Sequence, residues 1–305
     1  MQLESPRVPT FYFIGVTTGS SSIMKVFPKW MEVLSLDVHL AGIDAPLHAP
    51  PETYRAIVEH IKRDPLVRGA LVTTHKIDLL NATRDLFDGL DANAQLCGEV
   101  SCIAKRDVQL LGFAKDPISS GKTWEHFVPA GHFARTGAEV LCFGSGGAAV
   151  ATTVYLARAA DRPRRFTLVD VSAERLQHAR EIHAQLSTDI TFEYLQNADP
   201  YLNDIRMGAL PAASVVINGT GMGKDLPGSP ITAAGIFPLD GLVWEFNYRG
   251  ELNFLQQARK QAQDRRLTLE DGWVYFMHGW TLVVAEALGF DLTPAVFAKL
   301  DAAAR

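Results

Sequence analysis

The chain has 305 residues, with 29 Lys and Arg against 34 Asp and Glu, 47% hydrophobic residues and three cysteines. That length suggests about two domains, and the composition is too apolar for a disordered chain. A net charge of −5 excludes the basic field that a nucleic-acid surface requires.

The remaining exclusions come from the cysteines and the apolar runs. Cys97, Cys102 and Cys142 cannot build a disulfide framework and lack zinc-like CxxC spacing, so no metal and a reducing cytoplasm are expected. The N-terminal stretch lacks the basic-then-apolar pattern of a signal peptide. No apolar run approaches ~18 residues, so no membrane partner is expected.

Residues 11–17 (FYFIGVT) read as a buried strand ending near Gly15. A Gly/Ser stretch at 19–22 leads into a helix whose Ile23, Val26, Phe27, Trp30, Met31 and Leu34 share a face, with Pro28 in its first turns. A second strand is expected at 37–44 and a helix at 51–63, with Pro51 in its first turn. A third strand is expected at 69–74, followed by a loop-to-helix segment from His75. This alternation implies a mostly parallel sheet, in a first unit closing near residue 116.

Beyond it a helix is expected at 117–135, a strand at 138–143, a helix at 149–159 and a strand at 165–170. A helix at 173–187, a strand near 190–194 and a helix near 200–208 continue the alternation. Strands at 214–219 and 242–246 and a helix at 251–263 complete it. The apolar segment 272–288 is too long for a strand and reads as a helix returning to the first domain. The expected fold is therefore α/β. A substrate domain (1–116, completed by 265–305) joins a Rossmann-type dinucleotide domain (117–264).

The strongest local signal is AEVLCFGSGGAAVATTVYLARA, a strand, a tight turn and a helix. The turn residues Gly144, Ser145, Gly146, Gly147 and Ala148 give G-x-G-x-x-A, closed by Ala149. Glycines let the backbone approach a pyrophosphate, and the helix start offers unpaired N–H groups and a positive dipole end. A turn that merely joins strand to helix is the alternative, and the flanking elements argue against it. Asp170 ends the next strand, where a carboxylate accepts from both adenosine ribose hydroxyls and repels a 2′-phosphate. NAD is therefore expected over NADP, although Arg164 and Arg165 lie just upstream.

A dehydrogenase also needs a group that takes the hydroxyl proton as hydride leaves carbon. Lys76 follows the third strand and Asp116 follows LLGFAK. Their plainer readings are a surface lysine and a helix cap.

In this order the residues resemble the shikimate and quinate dehydrogenase family, over nearly the whole chain. LVTTHK resembles the family's N-V-T-x-P-x-K, with Lys76 at the catalytic lysine and the spacing one residue short. Gly112-F-A-K-Asp116 keeps the catalytic Asp of G-x-N-T-D. The family's first-strand segment binds the substrate carboxylate through serines. Ser20, Ser21 and Ser22 stand there, with Ser21 on the first serine and Ile23 on the second. Ser101 replaces a substrate-binding Asn, and Tyr248 falls on the substrate-side tyrosine. The substrate-binding Gln falls on Gly279, beside His278.

VINGTGMG resembles the cofactor-side N-A-T-x-x-G, which implicates Asn218, Thr220 and Gly221. Asp170-Val171-Ser172 stands where the family's N-R-T reads the NADP phosphate, which again implies NAD.

The resemblance implies a cytoplasmic NAD(P)-dependent alcohol dehydrogenase acting on shikimate, quinate or a related small cyclic acid, as a monomer or homodimer. An NADP-using enzyme of aromatic amino acid biosynthesis and a non-catalytic NAD-binding regulator are the alternatives.

Overall fold

The computed structural model describes residues 3–305. The backbone divides into two compact units, one running to Lys115 and taking in Gly279–Arg305, the other Asp116–His278.

The first unit contains β1 (Thr10–Gly15), α1 (Ile23–Leu34), β2 (His39–Asp44), α2 (Pro51–Arg63), β3 (Val67–Val72), α3 (Lys76–Thr83), β4 (Gly89–Leu90), α4 (Ala92–Cys97), β5 (Cys102–Arg106) and β6 (Gln109–Phe113). Its sheet runs β2-β1-β3-β5-β6-β4. Every residue of β1 is buried, which is why that strand is a continuous apolar run rather than an alternating one. Ile14, Ile57, Ile61, Val72, Leu79, Leu80 and Ile103 lie in one core cluster.

The strand β5 runs antiparallel to both β3 and β6, and so interrupts the expected parallel order. This hairpin turns at Asp107, held at φ +52°, a position that carries none of the usual Asn-Gly or Asp-Gly signals.

The second unit contains α5 (Asp116–Phe127), α6 (His132–Thr136), β7 (Val140–Phe143), α7 (Gly147–Arg158), β8 (Arg165–Asp170), α8 (Ala173–His183), β9 (Thr191–Gln196), α9 (Pro200–Gly208), β10 (Val215–Asn218), β11 (Leu242–Glu245), α10 (Asn253–Arg265) and β12 (Thr268–Glu270). All its strand pairs are parallel, in the order β12-β11-β10-β7-β8-β9. That is the doubly wound arrangement, with its switch point between β7 and β10, where such folds bind ligands.

Three further expectations differ from the structure. The helix expected at 117–135 is two helices, because Pro129 lacks an N–H and Gly131 takes φ +69°. The chain leaves the second unit at Gly279 rather than near 265, because β12 pairs with β11 and adds a sixth strand. The last two helices are α11 (Trp273–Leu288) and α12 (Pro294–Ala304), and the sequence pattern gives bounds for the first alone. It packs on α1, where Trp30 Nε1 donates to Leu300 O (2.8 Å).

Among the described residues, no helix is long and apolar enough to cross a membrane, and no group of three or more His, Cys, Asp or Glu could hold a metal.

Candidate functional site

In the second unit the glycine turn lies between β7 and α7. Gly144 has φ +96°, and a Cβ there would stand 2.5 Å from Gly219 O. Only glycine fits so close to the start of the loop after β10. A Cβ on Gly146 would meet nothing within 4 Å, so the backbone over the start of α7 is bare. Gly146 is the N-cap and no side chain caps the helix, which leaves its first N–H groups for an anion. The donor set therefore fits a dinucleotide pyrophosphate. Beside it lies a cleft of about 210 Å³, lined by Gly144, Asp170, Val171, Arg175, Asn197, Thr220 and Met222 among others.

The Asp170 carboxylate is already engaged by the chain itself. Its Oδ2 accepts from Ser145 N (2.7 Å) and Ser145 Oγ (3.1 Å), and its Oδ1 from Ser172 N (2.8 Å). Asp170 is 6% exposed, and its carboxylate acts first as a clasp between the glycine turn and the start of α8. Arg175, in the first turn of α8, is a cation on the same cleft that motif reading passed over.

The loop after β10 is wired through Asn218. Asn218 Oδ1 accepts from Thr220 N (3.2 Å) and Thr220 Oγ1 (2.7 Å). Thr220 Oγ1 in turn accepts from Met222 N (3.1 Å). Asn218 Nδ2 donates to Glu245 Oε2 (2.7 Å) at the end of β11, and Glu245 Oε1 accepts from Asn247 N (2.9 Å) and Asn247 Nδ2 (2.7 Å). Glu245 is fully buried, and burial is the main cause that pushes its carboxyl up to about 7. Glu245 stands at the acid of the segment that resembles the family's D-x-x-Y, three residues before Tyr248, whereas no local pattern marks Asn247. Gly221, at φ +77°, has open space where a Cβ would stand.

Two expected substrate residues also belong to this unit. Tyr248 packs its ring on Phe276 (4.7 Å) and Trp273 (5.9 Å), and His278 is half-buried on α11. Asp116 is half-buried as the first residue of α5.

In the first unit Lys76 opens α3, directly after the C-terminal end of β3, and is half-buried. The turn that delivers it passes through Thr74 at φ +46° and the buried His75, whose Nδ1 bonds the Tyr54 hydroxyl (3.1 Å). Ser20, Ser21 and Ser22 follow β1. Ser20 Oγ donates to Thr17 O (3.1 Å). Their loop is anchored by Asp44 Oδ1, which accepts from Thr18 N (2.8 Å) and Thr18 Oγ1 (2.6 Å), an anchor unread in the sequence.

Ser101 is buried, and its Oγ accepts from Lys115 N (2.8 Å), so its oxygen serves the chain itself. The Lys115 side chain pairs with Glu286 (2.7 Å), which also holds Arg106 (3.1 Å). A Cβ on Gly279 would meet nothing within 4 Å.

No family model matches the chain. A curated protein, shikimate dehydrogenase (NADP(+)) from Streptococcus thermophilus, is 26% identical over 228 residues, covering 73% of this chain and 74% of that one. Among solved structures, the ligand-free 5-ketofructose reductase of a Gluconobacter species superposes with TM-score 0.72 at 21% identity, covering 97% of this chain and 98% of that chain. Quinate dehydrogenase from Corynebacterium glutamicum in complex with NAD gives TM-score 0.73 at 16% identity, covering 97% and 98%. Shikimate 5-dehydrogenase from Thermus thermophilus in complex with shikimate gives TM-score 0.71 at 20% identity, covering 97% of each chain. The solved structures support the fold, and the curated relative supports the family resemblance drawn from the motifs.

Proposed function

We propose that this protein is a nicotinamide-dependent dehydrogenase that interconverts a ring hydroxyl and a ketone on shikimate, quinate or a related cyclic polyol acid. The observation that carries the proposal is the bare, uncapped start of α7 behind Gly144–Gly147 at the switch point of a doubly wound sheet. The bound dinucleotide supplies the hydride acceptor. The N–H groups at the start of α7 hold its pyrophosphate, and Thr220 and Gly221 present the loop after β10 to it.

Lys76 takes the hydroxyl proton at Nζ, and Asp116 is the second proton-handling residue. Ser20, Ser21 and Ser22 offer hydroxyls to the substrate carboxylate, and Tyr248 and His278 are assigned as further substrate contacts. Ser101 and Gly279 contribute by being small. Where the family places amides they leave room, which shifts the choice among ring acids rather than the chemistry.

The coenzyme we assign is NADP. The expectation of NAD rested on the Asp170 carboxylate, which is engaged by Ser145 and Ser172, and on the replacement of the family's N-R-T by Asp170-Val171-Ser172, which takes away an arginine that Arg175 restores to the same cleft. Arg175 on the same cleft offers the cation that a 2′-phosphate needs, and the curated relative carries NADP(+) in its name.

The test is reduced-coenzyme formation at 340 nm with NADP and NAD at matched concentrations. The panel is shikimate, quinate and other hydroxylated ring acids, with fructose added because the Gluconobacter neighbour is a 5-ketofructose reductase. Turnover on a ring acid is expected, and Lys76→Ala should lose it at least ~100-fold while still binding coenzyme. Full turnover by that variant would remove Lys76 from the mechanism. No turnover on any panel member by the wild type would overturn the proposal.

A further inference from the structure

We propose that Glu245 is a positioning residue for the coenzyme: its buried carboxylate fixes the loop from Asn218 to Met222, and without it that loop no longer holds the coenzyme well. The inference rests on the dehydrogenase reading above and gives a role to the acid three residues before Tyr248, where the segment resembles the family's D-x-x-Y.

Glu245 has no cationic partner among its hydrogen bonds, all of which come from Asn218 and Asn247. Both amides also reach the loop, because Asn218 Nδ2 and Asn247 Nδ2 each donate to Met222 O (3.3 Å). The carboxylate, at the shorter of the two distances, and Met222 O together set which way the Asn218 amide faces. With the NH2 drawn to Glu245, the oxygen is left for Thr220 N and Thr220 Oγ1. Reversing the amide would put a donor against Thr220 N–H and release the loop. Thr220 and Met222 line the dinucleotide cleft, so the orientation set at Glu245 is transmitted to the coenzyme surface.

A buried carboxylate without a cation is costly, and a neutral residue would suit the fold better. Burial raises its pKa, with the like charge of Asp271 adding to the effect.

Glu245→Gln separates positioning from mere structure. The Gln oxygen can still accept from Asn247, but its NH2 faces the Asn218 NH2, so Asn218 loses its strongest acceptor and is pushed off its bonds to Thr220 and Met222. Dissociation constants for NADP and NAD are measured by intrinsic fluorescence at pH 8, alongside melting of the unliganded protein. Weakening of coenzyme binding by roughly tenfold is expected, with melting unchanged or raised, a combination that a structural role would not produce. Thr220→Val, which removes only the hydroxyl link between Asn218 and Met222, should weaken binding similarly.

Coenzyme binding by Glu245→Gln within twofold of wild type would overturn the inference, as would parallel loss of binding and stability. If Glu245→Gln does not fold, unchanged binding by Thr220→Val overturns it. Failure of the wild type to bind either coenzyme would instead overturn the dehydrogenase reading, and this inference with it.

Discussion

Glu245 also makes a stability prediction whose sign follows from its burial. Its carboxyl is pushed from 4.5 up to about 7, by burial first and by the Asp271 charge last, against the lowering effect of its hydrogen bonds to Asn247 and Asn218. Between those two pH values the folded chain holds a proton that the unfolded chain has released. The stabilisation is therefore fully present below about pH 4.5 and is lost as pH rises through about 7. At 1.36 kcal/mol per unit the span corresponds to about 3 kcal/mol. For a unit of this size that is roughly 5–10 °C in melting temperature.

Other groups titrate nearby, so the wild-type profile alone will not show it. Glu270, also raised to about 7 by burial and Asp271, acts in the same direction. His183 acts in the opposite one. Buried against Phe192, it is held down to about 4, so its contribution disappears as pH falls from 6.5 towards that value. The difference between Glu245→Gln and wild type isolates the one carboxyl. Calorimetry or circular dichroism at intervals from pH 5 to pH 8.5 should show that difference growing with pH and levelling above about 7. A flat difference, or one that shrinks as pH rises, would refute an uncompensated buried carboxylate at this position.

Two further substitutions probe the coenzyme cleft. Gly144→Ala places a Cβ 2.5 Å from Gly219 O at φ +96°, so stability should fall by about 1–3 kcal/mol and coenzyme affinity by more than tenfold. A variant that melts like wild type would show that the turn is not so tightly closed. Arg175→Ala should raise the KM for NADP roughly tenfold or more and leave that for NAD unchanged, because only NADP carries the phosphate. Equal changes for both coenzymes, or none, would remove Arg175 as the phosphate contact.

What was legible in the sequence was local. The turn at Gly144–Ala148 announces itself through its neighbours, an apolar strand before and a small-residue helix after, and β8 and α9 fall where the pattern puts them. Lys76 was legible as a strand-end residue for the same reason. The direction in which a side chain turns was not legible. Asp170 sits where the motif places it, yet its carboxylate faces Ser145 and Ser172, because two backbone N–H groups at hydrogen-bond distance compete with any ligand. Ser101 is a second case: a residue aligned with a substrate contact gives its oxygen to Lys115 N. The partnership of Glu245 with Asn218 was not legible because the two lie 27 residues apart and meet only when β10 and β11 pair.

Two places where this chain accepts unfavourable local physics lie at one end of one sheet. Gly144 takes a left-handed conformation against the backbone of Gly219, at the end of β7. Glu245 is a carboxylate without a cation, buried at the end of β11. Both touch the Asn218–Met222 loop from opposite sides, Gly144 through Gly219 and Glu245 through Asn218. A sequence selected for stability alone would relax both, since an uncompensated buried charge is less stable than a well-packed neutral residue. Local costs that converge on a single loop are the mark of a surface held ready for a ligand. Here the loop lines the cleft beside the uncapped start of α7, so the same ligand accounts for the bare helix end, the tight glycine and the buried acid.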